Sequence, residues 1–162
     1  MNLPERYEDF YESFPTHATA RQVNVKEIVQ ASQQGRKVVF VDARAEAEQE
    51  VSVIPGAIRV PVEKDALQVT TDDIRPLLAL PTVASQLASI REEDLVVAYC
   101  TAGLRGGFCA IALEEKLGRP CFNLTGGMIE WKNQGQEVQH DGEATEEVHP
   151  CLTPLERYLH KP

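Results

Sequence analysis

One cysteine, Cys100, lies where an apolar run meets a loop that contains a glycine and an arginine. Residues 96–99 before it are apolar or aromatic, Gly103 allows a positive φ or a close backbone approach, and Arg105 supplies a permanent cation. A loop between a strand and a helix brings several backbone N–H groups together, and the helix start adds a positive partial charge. This setting favours a thiolate over a thiol, and it predicts that Cys100 is a nucleophile.

A cysteine that ends an apolar strand also has a simpler interpretation. A buried thiol often behaves as a small apolar packing residue and takes part in no chemistry. The apolar run alone favours packing, whereas Gly103 and Arg105 together favour the nucleophile. Arg105 has its own alternative, an ordinary surface arginine at the start of a helix.

The elements that must position Cys100 follow a repeated order of strand and helix. Residues 38–42 and 95–99 form continuous apolar runs typical of buried strands, and a helical pattern starts at Phe108 and ends before Gly118. This order predicts an α/β fold, with a mainly parallel central sheet and helices on both faces. Ligands in such folds bind at the carboxyl ends of strands, where Cys100 and the residues after Asp42 lie.

The flanking segments differ from this central part in composition. Residues 1–20 form an N-terminal arm, partly helical, whose aromatic residues have helical spacing, and residues 21–137 form the domain. Residues 138–162 are predicted to be a polar tail with a short helix that starts near Thr153.

Composition excludes several function classes. The chain has 162 residues and a net charge of −9, which does not suit binding to nucleic acid or to an anionic membrane. The polar N-terminus does not resemble a signal peptide, so a cytoplasmic location is expected. The four cysteines, at positions 100, 109, 121 and 151, form no Cys-x-x-Cys pair, so a zinc site is not expected. A disulfide framework is not expected either, because the chain is not small and shows no secretion signal.

Four blocks of sequence, in order, resemble the family of single-domain rhodanese-like sulfurtransferases. They are residues 39–44, which end in Asp-Ala-Arg, the Ile-Pro-Gly-Ala turn at 54–57, the loop from Tyr99 to Arg105, and the Gly-Gly…Trp segment at 124–131. Two positions depart from the family pattern. Ser52 and Val53 replace a common Gly-His, and Gly106 replaces a small hydroxyl residue, which weakens hydrogen bonding near the sulfur.

The resemblance implies a three-layer rhodanese-like fold and a catalytic Cys100 that carries a persulfide. It implies a small anionic sulfur donor such as thiosulfate, an acceptor that is cyanide, a thiol or a protein, and no cofactor, metal, nucleic acid or membrane. The transfer would take two half-reactions, as in other covalent catalysis. The backbone of one loop would bind the substrate sulfur, at residues Thr101, Ala102, Gly103, Leu104, Arg105 and Gly106.

Two other functions stay open. Cysteine phosphatases and arsenate reductases use a Cys-x5-Arg loop, but here glycine occupies position 106 and the spacing is Cys-x4-Arg. A redox-sensing or protein-binding module is the second alternative, with Cys151 in the tail as a resolving thiol or as a residue without a role. Cys109 and Cys121 are predicted to be buried packing residues.

Overall fold

A five-stranded sheet lies at the centre of the part of the chain that the computed structural model describes, residues 2–160. Its strand order is β1-β5-β4-β2-β3, and every pair of neighbours is parallel, which confirms the predicted α/β fold with a mainly parallel sheet. The strands are β1 (Gln22–Val23), β2 (Val38–Asp42), β3 (Ile58–Arg59), β4 (Leu95–Tyr99) and β5 (Phe122–Leu124).

Helices cover both faces of this sheet. They are α1 (Tyr7–Glu12), α2 (Pro15–Thr19), α3 (Val25–Gln33), α4 (Glu46–Val51), α5 (Thr71–Ile74), α6 (Pro81–Leu87), α7 (Leu104–Leu117) and α8 (Gly127–Asn133). Two 3₁₀ segments add to them, Arg75–Ala79 and Thr153–Tyr158. None of the helices between residues 2 and 160 is long and apolar enough to cross a membrane.

Successive side chains of β4 point to opposite faces of the sheet and divide the core into two layers. Val96 and Ala98 pack with α5, α6 and α7, whereas Val97 and Tyr99 pack with α3 and α8. All five residues of β4 are buried, as expected for a central strand of a parallel sheet. This strand therefore fixes the position of the residue that follows it, Cys100.

The chain turns in opposite directions after β2 and after β4. It continues from β2 to β3 on one side of the sheet, and from β4 to β5 on the other. A crevice forms at the carboxyl ends of two strands where the order reverses in this way. Cys100 and the segment after Asp42 follow the carboxyl ends of the two strands at this reversal, as the sequence predicts.

The helix after Cys100 begins earlier than predicted. Its first residue is Leu104 and not Phe108, because Gly103 adopts a φ of 118° and ends the loop there. Arg105 and Gly106 therefore belong to the first turn of α7, where backbone N–H groups lack helical acceptors. The loop itself is reduced to residues 101–103.

The C-terminal segment is more structured than a polar tail. Strands β6 (Val138–His140) and β7 (Glu143–Thr145) form an antiparallel hairpin, and the predicted helix start at Thr153 is a 3₁₀ segment. Leu155 and Tyr158 of that segment are buried. They pack with Tyr7, Phe10 and Phe14 of the N-terminal arm and with Ala102 beside Cys100. We call this cluster the terminal cap.

Candidate active site

Cys100 lies directly after β4 and is almost fully buried, with 2% of its surface exposed. The backbone N–H of Gly103 donates a hydrogen bond to its Sγ at 3.1 Å. A donor aimed at the sulfur stabilises negative charge there, as the sequence-based prediction of a nucleophile requires.

The start of α8 holds the backbone of the Cys100 loop through two hydrogen bonds. Met128 N–H donates to Cys100 O at 2.8 Å, and Ile129 N–H donates to Thr101 O at 3.1 Å. A Cβ at Gly127 would lie 2.5 Å from Cys100 O, and its φ is +61°, so only glycine fits this approach. The Gly-Gly segment near Trp131 thus has a direct structural role in the loop.

Arg105 forms a buried ion pair with Glu48 of α4. Its Nη1 donates to Glu48 Oε2 at 2.6 Å, and its Nη2 donates to Glu48 Oε1 at 2.9 Å. Thr101 Oγ1 donates to the same Oε1 at 2.6 Å. This bidentate pair ties the first turn of α7 to α4 and neutralises the charge of Arg105.

The pair shifts the pKa values of both partners and stabilises their charged forms. Burial alone would raise the pKa of Glu48, but the hydrogen bonds and charge of Arg105 outweigh it and lower the pKa to about 2. Burial would lower the pKa of Arg105, but hydrogen bonding to Glu48 outweighs it and raises the pKa. Both groups are therefore charged at neutral pH.

A second buried pair, Asp42 with Arg44, lies at the end of β2. Arg44 Nη2 donates to Asp42 Oδ2 at 2.8 Å and to Ser52 O at 2.6 Å. The Arg44 guanidinium also lies over the ring of Tyr99, 5.7 Å from its centroid. Both side chains of the pair are fully enclosed, so they organise the end of the sheet.

Gly106 lies against Asn123 of β5. A Cβ at position 106 would be 2.5 Å from Asn123 Oδ1 and 3.0 Å from the Cys100 backbone nitrogen. Asn123 Nδ2 donates to Gly103 O at 3.1 Å, so this side chain braces the loop from the neighbouring strand. Asn123 therefore occupies the space that a side chain at position 106 would need.

A small apolar cavity of about 30 Å³ opens beside Cys100. Thr101, Ala102, Leu104 and Arg105 line it from the loop and α7. The rest of its wall comes from the terminal cap, the segment near Leu67, and Cys151, and includes Phe10, Phe14, Ala66, Leu152 and Leu155.

The predicted site residues are thus close together, and their assignment to substrate binding stays a prediction. Gly103 donates to the sulfur and five of the others, Cys100 included, share one cavity, whereas Gly106 faces Asn123. Sequence reasoning missed Glu48, because the acidic residues Glu46, Glu48 and Glu50 in the helix pattern give no basis for choosing one of them. It also missed the apolar wall that the two termini supply.

Comparison with known proteins identifies the family. Residues 25–134, more than half of the chain, match the family model of the rhodanese-like domain. An HTH-type transcriptional regulator of Mycobacterium tuberculosis is 29% identical over 107 residues, which are 63% of this chain. The match spans 38% of that regulator's length.

Two solved structures share the fold at low identity. A thiosulfate sulfurtransferase from Pseudomonas aeruginosa is 21% identical with a TM-score of 0.55, covering 94% of this chain and 26% of that one. A Rhodopseudomonas palustris protein of unknown function, described as a possible tyrosine phosphatase, is 19% identical with a TM-score of 0.55. That match covers 86% of this chain and 98% of that one.

Proposed function

Because the chain belongs to the family of rhodanese-like domains, we propose that it is a sulfurtransferase whose Cys100 carries a persulfide. The hydrogen bond from Gly103 N–H to Cys100 Sγ carries this proposal, since it stabilises negative charge on this sulfur when it attacks and again when it leaves in the second step. The first turn of α7 adds N–H groups without helical acceptors at the same end.

The reaction takes two half-reactions at one sulfur atom. The Cys100 thiolate attacks the outer sulfur of thiosulfate, the S–S bond of thiosulfate breaks, and sulfite leaves with the bonding electron pair. Cyanide or a thiolate then takes the outer sulfur from the persulfide, and the Cys100 thiolate is regenerated. Cys100 is thus the nucleophile in the first step and the leaving group in the second.

The residues around Cys100 have different parts in this proposal. Gly103 stabilises the sulfur directly, whereas Arg105 acts through Glu48 and Thr101, because its guanidinium is already bound. Arg105 is thus a positioning residue that holds the first turn of α7, and the anionic donor would be stabilised chiefly by backbone N–H groups. Anion binding is therefore assigned to the loop backbone and not to the Arg105 side chain.

Steady-state kinetics with thiosulfate and cyanide test the proposal. Parallel lines in double-reciprocal plots and a loss of thiocyanate formation in Cys100→Ser are expected from a covalent intermediate. Cys121→Ala is the matched control, because its thiol is buried in the core away from the cavity. Equal rates for Cys100→Ser and the wild type would contradict the proposal.

The phosphatase alternative makes a different prediction. It needs an arginine that is free to bind a tetrahedral oxyanion, whereas Arg105 is occupied by Glu48. We therefore expect no turnover of p-nitrophenyl phosphate. Cys100-dependent hydrolysis of this ester without thiocyanate formation would favour the phosphatase instead.

A further inference from the structure

A second thiol, Cys151, lines the same small cavity as Cys100. The cavity of about 30 Å³ has room for about two water molecules, and both thiols belong to its wall. The other two cysteines, Cys109 and Cys121, are buried in the core and do not line it. All four cysteines lie within residues 2–160, and there they are free thiols.

A tight turn holds Cys151 in this place. Leu152 N–H donates to Pro150 O at 2.8 Å, and Cys151 between them has a φ of +67°, which closes a γ-turn in the left-handed region. Residues other than glycine rarely adopt this conformation, so the surroundings must maintain it. Cys151 N–H also donates to His149 Nδ1 at 2.9 Å.

The terminal cap fixes the segment that follows this turn. Leu155 and Tyr158 are buried against Ala102 and Ile129. Asn133 Nδ2 donates to Tyr158 O at 2.8 Å, and Tyr158 Oη donates to Pro4 O. Cys151 therefore lies on a packed segment, and this packing holds it at the cavity.

Burial, more than the nearby charges, keeps the proton on the Cys151 sulfur. Burial raises the pKa of Cys151 to about 11, the Arg105 charge lowers it, and the negative charges of Glu48 and Cys100 raise it. A protonated thiol can supply a proton to a leaving sulfide.

We propose that Cys151 is a resolving thiol that attacks the inner sulfur of a Cys100 persulfide. The bond between Cys100 Sγ and the outer sulfur breaks, and a Cys100–Cys151 disulfide forms. The outer sulfur leaves with the electron pair and the Cys151 proton as hydrosulfide. The outer sulfur is thereby reduced and the Cys151 sulfur is oxidised, whereas the Cys100 sulfur keeps its oxidation state, so this step consumes no further oxidant.

The disulfide must then be reduced before another turnover. An external dithiol does this by thiol–disulfide exchange, and dithiothreitol serves in the test. The domain would thus release sulfide from a sulfane donor at the expense of a dithiol. This inference rests on the proposed function, because it requires a persulfide on Cys100.

One experiment tests the two proposals separately. Reduced wild type, Cys151→Ser, Cys151→Ala and the control Cys121→Ala are incubated with thiosulfate without oxygen, cyanide or thiol. Intact mass under non-reducing conditions and released sulfide are measured on the same samples, and peptide mapping locates any disulfide. Circular dichroism confirms that each variant is folded.

The wild type and Cys121→Ala are expected to release about one sulfide per chain and to end two hydrogen atoms lighter, with Cys100 joined to Cys151. Both Cys151 variants are expected to end one sulfur atom heavier and to release no sulfide. A wild type that keeps its extra sulfur as the Cys151 variants do would overturn the resolving role and leave the sulfurtransferase intact. Absence of extra sulfur in all variants, with no sulfide from the wild type, would contradict both proposals.

Discussion

The two buried arginine–carboxylate pairs of this domain share their chemistry and differ in what surrounds them. Asp42 and Arg44 are two residues apart and fully enclosed. Glu48 and Arg105 are 57 residues apart, and Arg105 lines the cavity beside Cys100. The first pair stabilises the end of one strand, whereas the second joins two distant elements and so sets the position of the Cys100 loop.

This difference shows that burial alone does not identify a functional charge. An enclosed pair formed by neighbours in sequence, such as Asp42 with Arg44, makes its contacts close by in the chain, where Arg44 also donates to the Ser52 carbonyl. A pair formed across the fold, such as Glu48 with Arg105, couples the site to the scaffold. Variants of each pair test this distinction.

Removing Arg44 is expected to have the largest effect on stability. Arg44→Met leaves Asp42 as an uncompensated buried charge, so the free energy of unfolding should fall by about 3–5 kcal/mol. Urea unfolding measures the change. The double variant Asp42→Leu with Arg44→Met should recover much of the loss, because no buried charge remains. A fall in unfolding free energy of less than about 1 kcal/mol in the single variant would contradict the stabilising role of the Asp42–Arg44 pair.

The second pair should give stability that depends on pH. The folded pKa of Glu48, about 2, lies below its ordinary value of 4.5, so ionised Glu48 stabilises the fold above pH 4.5. This contribution, about 3 kcal/mol, is lost as the pH falls from 4.5 towards 2. The wild type should therefore exceed Glu48→Gln in unfolding free energy at pH 7, by an amount that shrinks in acid.

Urea unfolding of both proteins from pH 7 to pH 3 checks this trend. The control is Glu46→Gln, which changes an exposed carboxylate of the same helix. We expect that control to match the wild type throughout the range. A difference between wild type and Glu48→Gln that stays constant with pH would contradict the assigned role of Glu48.

Gly106 beside the second pair should tolerate little extra volume. Gly106→Ala places a Cβ against Asn123 Oδ1 and the Cys100 backbone, so we expect a loss of about 1–3 kcal/mol. The rate of persulfide formation should fall as well, because the loop must shift. If Gly106→Ala changes neither the stability nor this rate, the loop has more room than the structure indicates.

An exposed pair provides the smallest expected effect. Arg21 Nε donates to Glu114 Oε1 at 2.7 Å, but the Arg21 side chain is 57% exposed. Arg21→Gln should therefore change the unfolding free energy by less than about 1 kcal/mol, with the sulfur-transfer rate unchanged. A larger loss of unfolding free energy would mean that exposure does not distinguish weak ion pairs from strong ones in this domain.

Local signals in the sequence were sufficient to predict the sheet and the place of Cys100. The runs that form β2 and β4 are apolar apart from Asp42 at the end of β2, and Asn24 and Glu27 form a capping box that starts α3. These features depend on residues close together in the sequence. The fold class could therefore be predicted from the sequence alone.

Contacts between distant segments were beyond such reasoning. The choice of Glu48 over Glu46 and Glu50 depends on how α4 faces α7. The sequence names Cys151 as a resolving thiol or as a residue without a role, and its place at the cavity depends on how the two termini pack together. One missed element did have a local signal. Asp141 and Gly142, both with positive φ, form the two-residue turn of the hairpin within the predicted polar tail.

A single-turnover mass measurement tests the central claim, the persulfide on Cys100, most directly. Reduced Cys151→Ser is mixed with thiosulfate, beside the double variant Cys100→Ser with Cys151→Ser, and the intact masses are recorded before and after cyanide. We predict a gain of one sulfur atom in the first protein alone, reversed by cyanide. Equal sulfur uptake in both proteins, or none in either, would contradict the account.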